Sequence, residues 1–321
     1  MKAKILMLVL TTVLVAGCVG IDIPGAGGLA VGAGNGLEII SFTAEPTTVY
    51  SGRTVRVVAE VENRGGTIVP DNSAIIYLTG SNIDLADTDG TYWYGRDIED
   101  RAQIKLIPSM EPENVVRGTP ADIERFDWSL TAPNLTPGQT RQDTFIVRVY
   151  NEYSSGVNGN IWVYTESEAE ATKAAGRSLE TSAFTPVQGP VGVSVRVNPN
   201  PVILYDGENE ITFNIDITNN AQGTIYYNTG MVYSAAASLA LSADDHLNRV
   251  NVIVEAPEFG DDMDCEGVQE IFGGRSLTLV CEATINSGKI PTTFKSYLVN
   301  VIVEYGYYTQ REATVTVQGK A

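Results

Sequence analysis

The chain has 321 residues, 43% of them hydrophobic and 19% charged, enough for two domains with cores of their own and unlike either a disordered polymer or a polytopic membrane protein. Its 39 acidic residues outnumber 21 lysines and arginines for a formal charge of −18, which repels phosphate backbones and argues against nucleic acid as a partner. One histidine and three cysteines cannot furnish a zinc site once the cysteines are otherwise committed.

In chain order, Lys2 and Lys4 precede an apolar run from Ile5 to Ala16 that is too short to cross a bilayer as a mature helix, so residues 1–18 read as a signal peptide. The run ends in Val15-Ala16-Gly17-Cys18, which looks like a lipobox. Cys18 is therefore the expected lipidation site, an ordinary secretory signal being the alternative. The membrane, reached through that lipid, is the first expected partner, and the extracellular face of the cell membrane the expected location. Residues 19–36 carry seven glycines and read as a flexible tether.

From residue 37 onward, short β-branched and aromatic runs alternate with Gly, Pro, Asn and Asp turns. Arg53 to Glu62 places Val55, Val57, Ala59 and Val61 on one face of a half-buried strand. Further strands are predicted at Ala74 to Leu78, Phe126 to Leu130, Thr144 to Tyr150 and Ile161 to Tyr164, with Leu135-Thr136-Pro137-Gly138 as a turn. Ser167-Glu168-Ala169-Glu170 is a candidate capping box for a short helix. After the joint Pro186-Val187-Gln188-Gly189-Pro190 a second cycle is predicted at Val191 to Val197, Glu210 to Thr218, Thr224 to Tyr227, Arg249 to Val254, Ser276 to Thr284, Tyr297 to Glu304 and Ala313 to Val317, with another turn of helix between Tyr233 and Leu247. The expected fold is all-β, two tandem antiparallel immunoglobulin-like β-sandwiches spanning 37–186 and 187–321.

The two cycles repeat one plan. Pro46-Thr47-Thr48-Val49-Tyr50-Ser51-Gly52 and Pro201-Val202-Ile203-Leu204-Tyr205-Asp206-Gly207 each precede a long alternating strand, and an Asn-containing turn then leads into Thr-Ile. This arrangement resembles the CARDB and S-layer-type immunoglobulin-like domains of archaeal exported proteins. Arg148 to Ser155 followed by Asn160 to Tyr164 looks like the group's strand-turn-strand, and the Cys265 to Cys281 spacing before Val301 to Tyr307 is similar too. Where members often carry a cysteine this chain has Val149, so one disulfide rather than two is expected. The resemblance implies a surface-layer or envelope role without assigned chemistry.

With Cys18 committed to lipid, Cys265 and Cys281 remain as a disulfide pair in an exported chain, two buried thiols being the alternative. The single histidine, His246, follows Asp244 and Asp245 with Ser242 nearby, but no G-x-S-x-G elbow occurs and an exposed loop histidine is expected. Asp261, Asp262 and Asp264, with Glu258 and Glu266 nearby, crowd carboxylates that calcium could screen, although the spacing is not that of an EF-hand loop and a solvated loop is the plainer reading. Tyr92, Trp93 and Tyr94 are candidates for an aromatic platform that stacks sugar rings, with core packing as the alternative. No catalytic set emerges. The expected function is a noncatalytic, lipid-anchored envelope protein with a structural or adhesive role toward envelope proteins or surface glycans; the alternative is a calcium- or carbohydrate-binding module.

Overall fold

The computed structural model describes residues 30–31, 36–85, 90–96, 102–114, 117–187, 189–227, 246–260 and 263–320. Strand formation follows side-chain alternation. Thr54–Asn63 buries Val55, Val57, Ala59 and Val61 completely while Arg56 stays exposed, so one face is driven out of water and the other carries charge.

The strands are β1 (Ala30–Val31), β2 (Leu37–Glu45), β3 (Thr48–Tyr50), β4 (Thr54–Asn63), β5 (Ala74–Gly80), β6 (Tyr94–Gly95), β7 (Ile104–Ile107), β8 (Ile123–Thr131) and β9 (Thr140–Thr165). After helix α1 (Glu166–Ala174) come β10 (Ala183–Val187), β11 (Val191–Val197), β12 (Val202–Leu204), β13 (Glu210–Asn219), β14 (Thr224–Tyr226), β15 (Arg249–Glu255), β16 (Gly267–Glu270), β17 (Ser276–Thr284) and β18 (Phe294–Gln318). One long sheet runs β16-β15-β18-β9-β5-β7, and two small sheets, β2-β4-β8-β6 and β11-β13-β17, cover the same face of it at its two ends. The chain is all-β and predominantly antiparallel, as expected.

Two pairs of strands expected to be separate are instead single strands. Thr144 to Tyr150 and Ile161 to Tyr164 belong to β9, and Tyr297 to Glu304 and Ala313 to Val317 belong to β18. β9 and β18 pair antiparallel without interruption, from Thr140 opposite Gln318 to Tyr164 opposite Phe294, over about 80 Å at 3.3–3.4 Å per residue. The stretch expected to turn, between Ser155 and Asn160, stays extended because both of its edges are bonded, to β18 on one side and to β10 on the other. Ala30–Val31, expected to be flexible tether, forms β1, parallel to Tyr153–Ser154. Residues 1–29, including Cys18 and the expected signal peptide, lie outside the described residues, as do 228–245.

Each hydrophobic core therefore draws on both halves of the sequence rather than dividing at residue 187. The first packs β2, β4 and β8 against Phe145, Val147 and Val149 of β9 and against Val315 and Val317 from the end of β18. The second packs β11, β13 and β17 against Tyr297, Val299, Val301, Val303 and Tyr305 of β18 and against Val157, Ile161 and Val163 from the end of β9. Each unit is closed by a strand that the other unit supplies. Residues 152 apart play matching roles across an approximate two-fold: Val147 and Val299, Tyr153 and Tyr305, Val163 and Val315. β3 lies parallel to the end of β18 as β12 lies parallel to the end of β9, and the turn after each places a glycine in the left-handed region, Gly52 at φ 72° and Gly207 at φ 85°.

Helix α1 is capped by Thr165, whose hydroxyl accepts from the N–H of Glu168, so the cap lies two residues before the Ser167 expected from the sequence.

Candidate functional site

At the centre of the β9–β18 ladder Tyr153 and Tyr305 sit opposite one another, their rings stacked with centroids 6.0 Å apart. Each hydroxyl fastens the first strand of a small sheet. Leu37 N–H donates to Tyr153 Oη at 2.8 Å, and Val191 N–H donates to Tyr305 Oη at 3.0 Å. Tyr305 also shares a 2.7 Å hydrogen bond with Ser155. Burial raises the pKa of both phenols, since no charge is easily carried there, and it pushes Tyr307 up to about 12. As neutral groups they serve as fasteners.

Two asparagines repeat a second device. Asn63 at the end of β4 donates through Nδ2 to the carbonyls of Thr67 and Met110 and accepts from the N–H of Gly65. Asn219 at the end of β13 donates to the carbonyls of Gly223 and Gly274 and accepts from the N–H of Ala221. The repeated Asn turn was visible in the sequence; its function as a three-bond clasp was not. A buried carboxylate, Asp143, escaped notice as well. It accepts from Trp93 Nε1 at 2.9 Å, Asn82 Nδ2 at 2.8 Å and Arg141 Nε at 3.0 Å, tying the segment before β6 to β9.

These contacts dissolve the aromatic platform. Trp93 is fully buried, bound to Asp143 and set edge-on to Phe145 at 5.0 Å, so it offers no face to a sugar; only Tyr92 of the triplet is exposed. Tyr305 and Tyr307 share one sheet face, and it is the core face.

The disulfide is present: Cys265 and Cys281 are joined with Cα atoms 5.2 Å apart, pinning the approach to β16 onto β17. Of the carboxylates around it, Asp264 is exposed, Glu258 is paired with Lys295, and Glu266 accepts from Val254 N–H at 3.0 Å. The described part of the expected calcium cluster is thus dispersed among separate partners; Asp261 and Asp262 lie outside the described residues, and among those described no group of three His, Cys, Asp or Glu could hold a metal. His246 is partly exposed and offers its carbonyl to Tyr227 N–H, while Ser242, Asp244 and Asp245 are likewise outside the description.

Between the two small sheets a polar cleft of about 560 Å³ opens onto the long sheet, with Tyr307 and Thr309 of β18 in its lining. Arg64 spans its rim, bonded to Glu38 and Glu62, and Arg311 donates to the carbonyl of Ile39. Its charges are engaged in holding β2 to its neighbours.

The fold and its centre define an all-β protein whose two two-layer units are joined through one shared sheet. No family model matches the chain, and no curated protein matches it. Among solved structures it is similar to the Yersinia pseudotuberculosis adhesin InvE at 10% identity, covering 86% of this chain and 58% of that one with a TM-score of 0.17. It is similar also to Escherichia coli alpha-2-macroglobulin activated by porcine elastase, at 10% identity, 88% and 22% coverage and TM-score 0.20, and to the S. aureus collagen adhesin, at 8%, 88%, 92% and 0.14. The chain thus spans little more than half of the first and less than a quarter of the second. At these TM-scores the superpositions carry no argument about strand arrangement or activity.

Proposed function

We propose that this chain is a noncatalytic, lipid-anchored protein of the outer cell surface with a structural or adhesive role. The observation that carries the reading is the uninterrupted β9–β18 ladder, which joins the two units with no flexible joint between them. Such a body transmits force and holds its far loops at a fixed separation, whereas an enzyme of two domains ordinarily places a cleft at a hinge. Support for export comes from the signal-like residues 1–18 and from the Cys265–Cys281 bond, which persists in oxidising compartments. Since Leu37 is fastened to Tyr153, the N-terminal segment joins the body at its middle, and 18 residues from Cys18 to Gly36 reach at most about 60 Å. Both ends of the body are then free to meet envelope proteins or surface glycans.

The test is cell fractionation with Cys18→Ser. Wild type is expected in the detergent-soluble membrane fraction, accessible to protease added to whole cells, and the variant in the medium. Wild type found in the cytoplasm with two alkylatable thiols in 265 and 281 would sink the reading.

A further inference from the structure

We propose that this chain also associates with a second copy of itself by exchanging whole repeats across the β9–β18 seam. The observation is topological. The first core needs residues 37–149 together with the end of β18, and the second needs 191–303 together with the end of β9. Covalent continuity between the repeats runs only through residues 166–190, that is α1, β10 and the turns around them. The disulfide lies wholly inside the second repeat. A body assembled from residues 37–165 of one copy and 191–318 of another contains the same ladder, the same tyrosine fasteners and the same asparagine clasps. Strand exchange of this kind keeps the contacts of both cores and changes only which copy provides them.

The connecting segment decides between the two arrangements, and it is lightly held. Of α1 only Ala169 and Thr172 are buried, and residues 173–178 are all exposed. Beyond them the segment is attached by Glu180 N–H to Tyr164 Oη, by Trp162 N–H to Ser182 Oγ, by two hydrogen bonds between the Ser182 backbone and the Asn200 amide, and by β10, which pairs with Gly156 to Asn160 of β9. In the closed chain this segment must run back along β9 from Thr165 to the point where Ala183 pairs with Asn160, about 17 Å at strand spacing. With its full length it does so easily, and the closed form is favoured by an effective concentration of the order of 1 mM. Exchange between copies therefore becomes competitive when folding occurs at comparable concentrations, irrespective of where the protein resides.

Removing Ser167 to Glu180 tests this directly. Only Glu166, Thr181 and Ser182 then connect Thr165 to Ala183, and the four steps from Thr165 to Ala183 reach at most about 14 Å, short of the roughly 17 Å needed to dock β10 on its own β9. The deletion variant is expected to have twice the chain mass by light scattering after size-exclusion chromatography, with amide protection retained in both β4 and β13. A folded monomer with both strands protected would overturn the proposal. Should the variant fail to fold, the intact chain decides: two differently tagged full-length populations are unfolded in urea, mixed and refolded at about 1 µM and at about 500 µM, below and near the effective concentration. Co-purification of both tags as a stable dimer at the higher concentration alone is expected. Absence of mixed species at both concentrations would overturn the proposal.

Discussion

Ending the chain at Arg311 removes the last part of β18 and should unfold the half of the protein farthest away in sequence. Val315 and Val317 are fully buried in the first core, between β9 and the small sheet that starts at Leu37. At about 1.5–3 kcal/mol for each buried valine, their loss costs about 3–6 kcal/mol before the vacated flank of Phe145 and Val147 is counted. A domain of this size is stable by about 5–15 kcal/mol, so the first unit is brought to the edge of unfolding. The second unit loses nothing: its closing strand, Val157 to Thr165, and its own Phe294 to Val303 remain. Hydrogen exchange read by mass spectrometry should show peptides from β2, β4 and β8 losing protection while those from β11, β13 and β17 keep it. Addition of a peptide covering residues 308–321 should restore protection to the first set. If the second unit lost protection first, or if the first kept it unchanged, the shared-strand architecture would be wrong.

Asn219→Ala should lower the stability of the second unit by about 2–4 kcal/mol in urea titration, because two carbonyls and one N–H lose their partner. Asn219→Asp, which keeps the acceptor but loses both donors, should recover little of this. Replacing Cys265 and Cys281 by serine reopens a loop of 16 residues and should cost about 3 kcal/mol under non-reducing conditions, a difference that dithiothreitol abolishes. Burial, and next the nearby Glu304, raise the pKa of Glu152. A carboxyl raised on folding favours the native state below its unfolded pKa and forfeits that advantage as pH rises through the folded value. Glu152→Gln should therefore raise the melting temperature at pH 7 and leave it nearly unchanged at pH 4, as followed by circular dichroism.

Most strands were legible because alternation is a local property. β4, β13 and β17 begin and end within a residue or two of where their apolar residues predict. The two long strands were not legible for the same reason. Val147, Tyr153, Val157 and Val163 all have odd numbers, so a straight strand and two strands joined by a turn present an identical pattern. The polar residues Asn151, Ser154 and Ser155 then imitate a turn, although all three are buried within the sheet. Asn158-Gly159 imitates one more strongly, being a favoured hairpin pair. There the glycine answers to a neighbour instead: a Cβ on Gly159 would stand 2.3 Å from the carbonyl oxygen of Ala183, so β10 could not pair at that point. Trp93 shows the matching limit for sites. Its flanking tyrosines suggested a binding face, and only the distant Asp143 reveals why the indole points inward.

Internal repetition shows that the chain holds two like units, yet repetition alone is silent about which unit each closing strand completes. Val163 and Val315 fill matching places in the two cores, so returning each strand to its own repeat would bury the same side chains. What separates the two arrangements is the chain between the last two strands of a repeat. A hairpin closing on its own unit needs at least two residues released from pairing between Val149 and Val157, and the ladder pairs every residue there. Once that connection is straight, the end of β9 has nowhere to bury Ile161 and Val163 except in the second unit, and antiparallel pairing carries the end of β18 back into the first. The rigidity that favours a load-bearing role and the capacity to exchange repeats between copies thus have one cause: eight residues, Tyr150 to Val157, that pair along their whole length with β18 instead of folding into a turn.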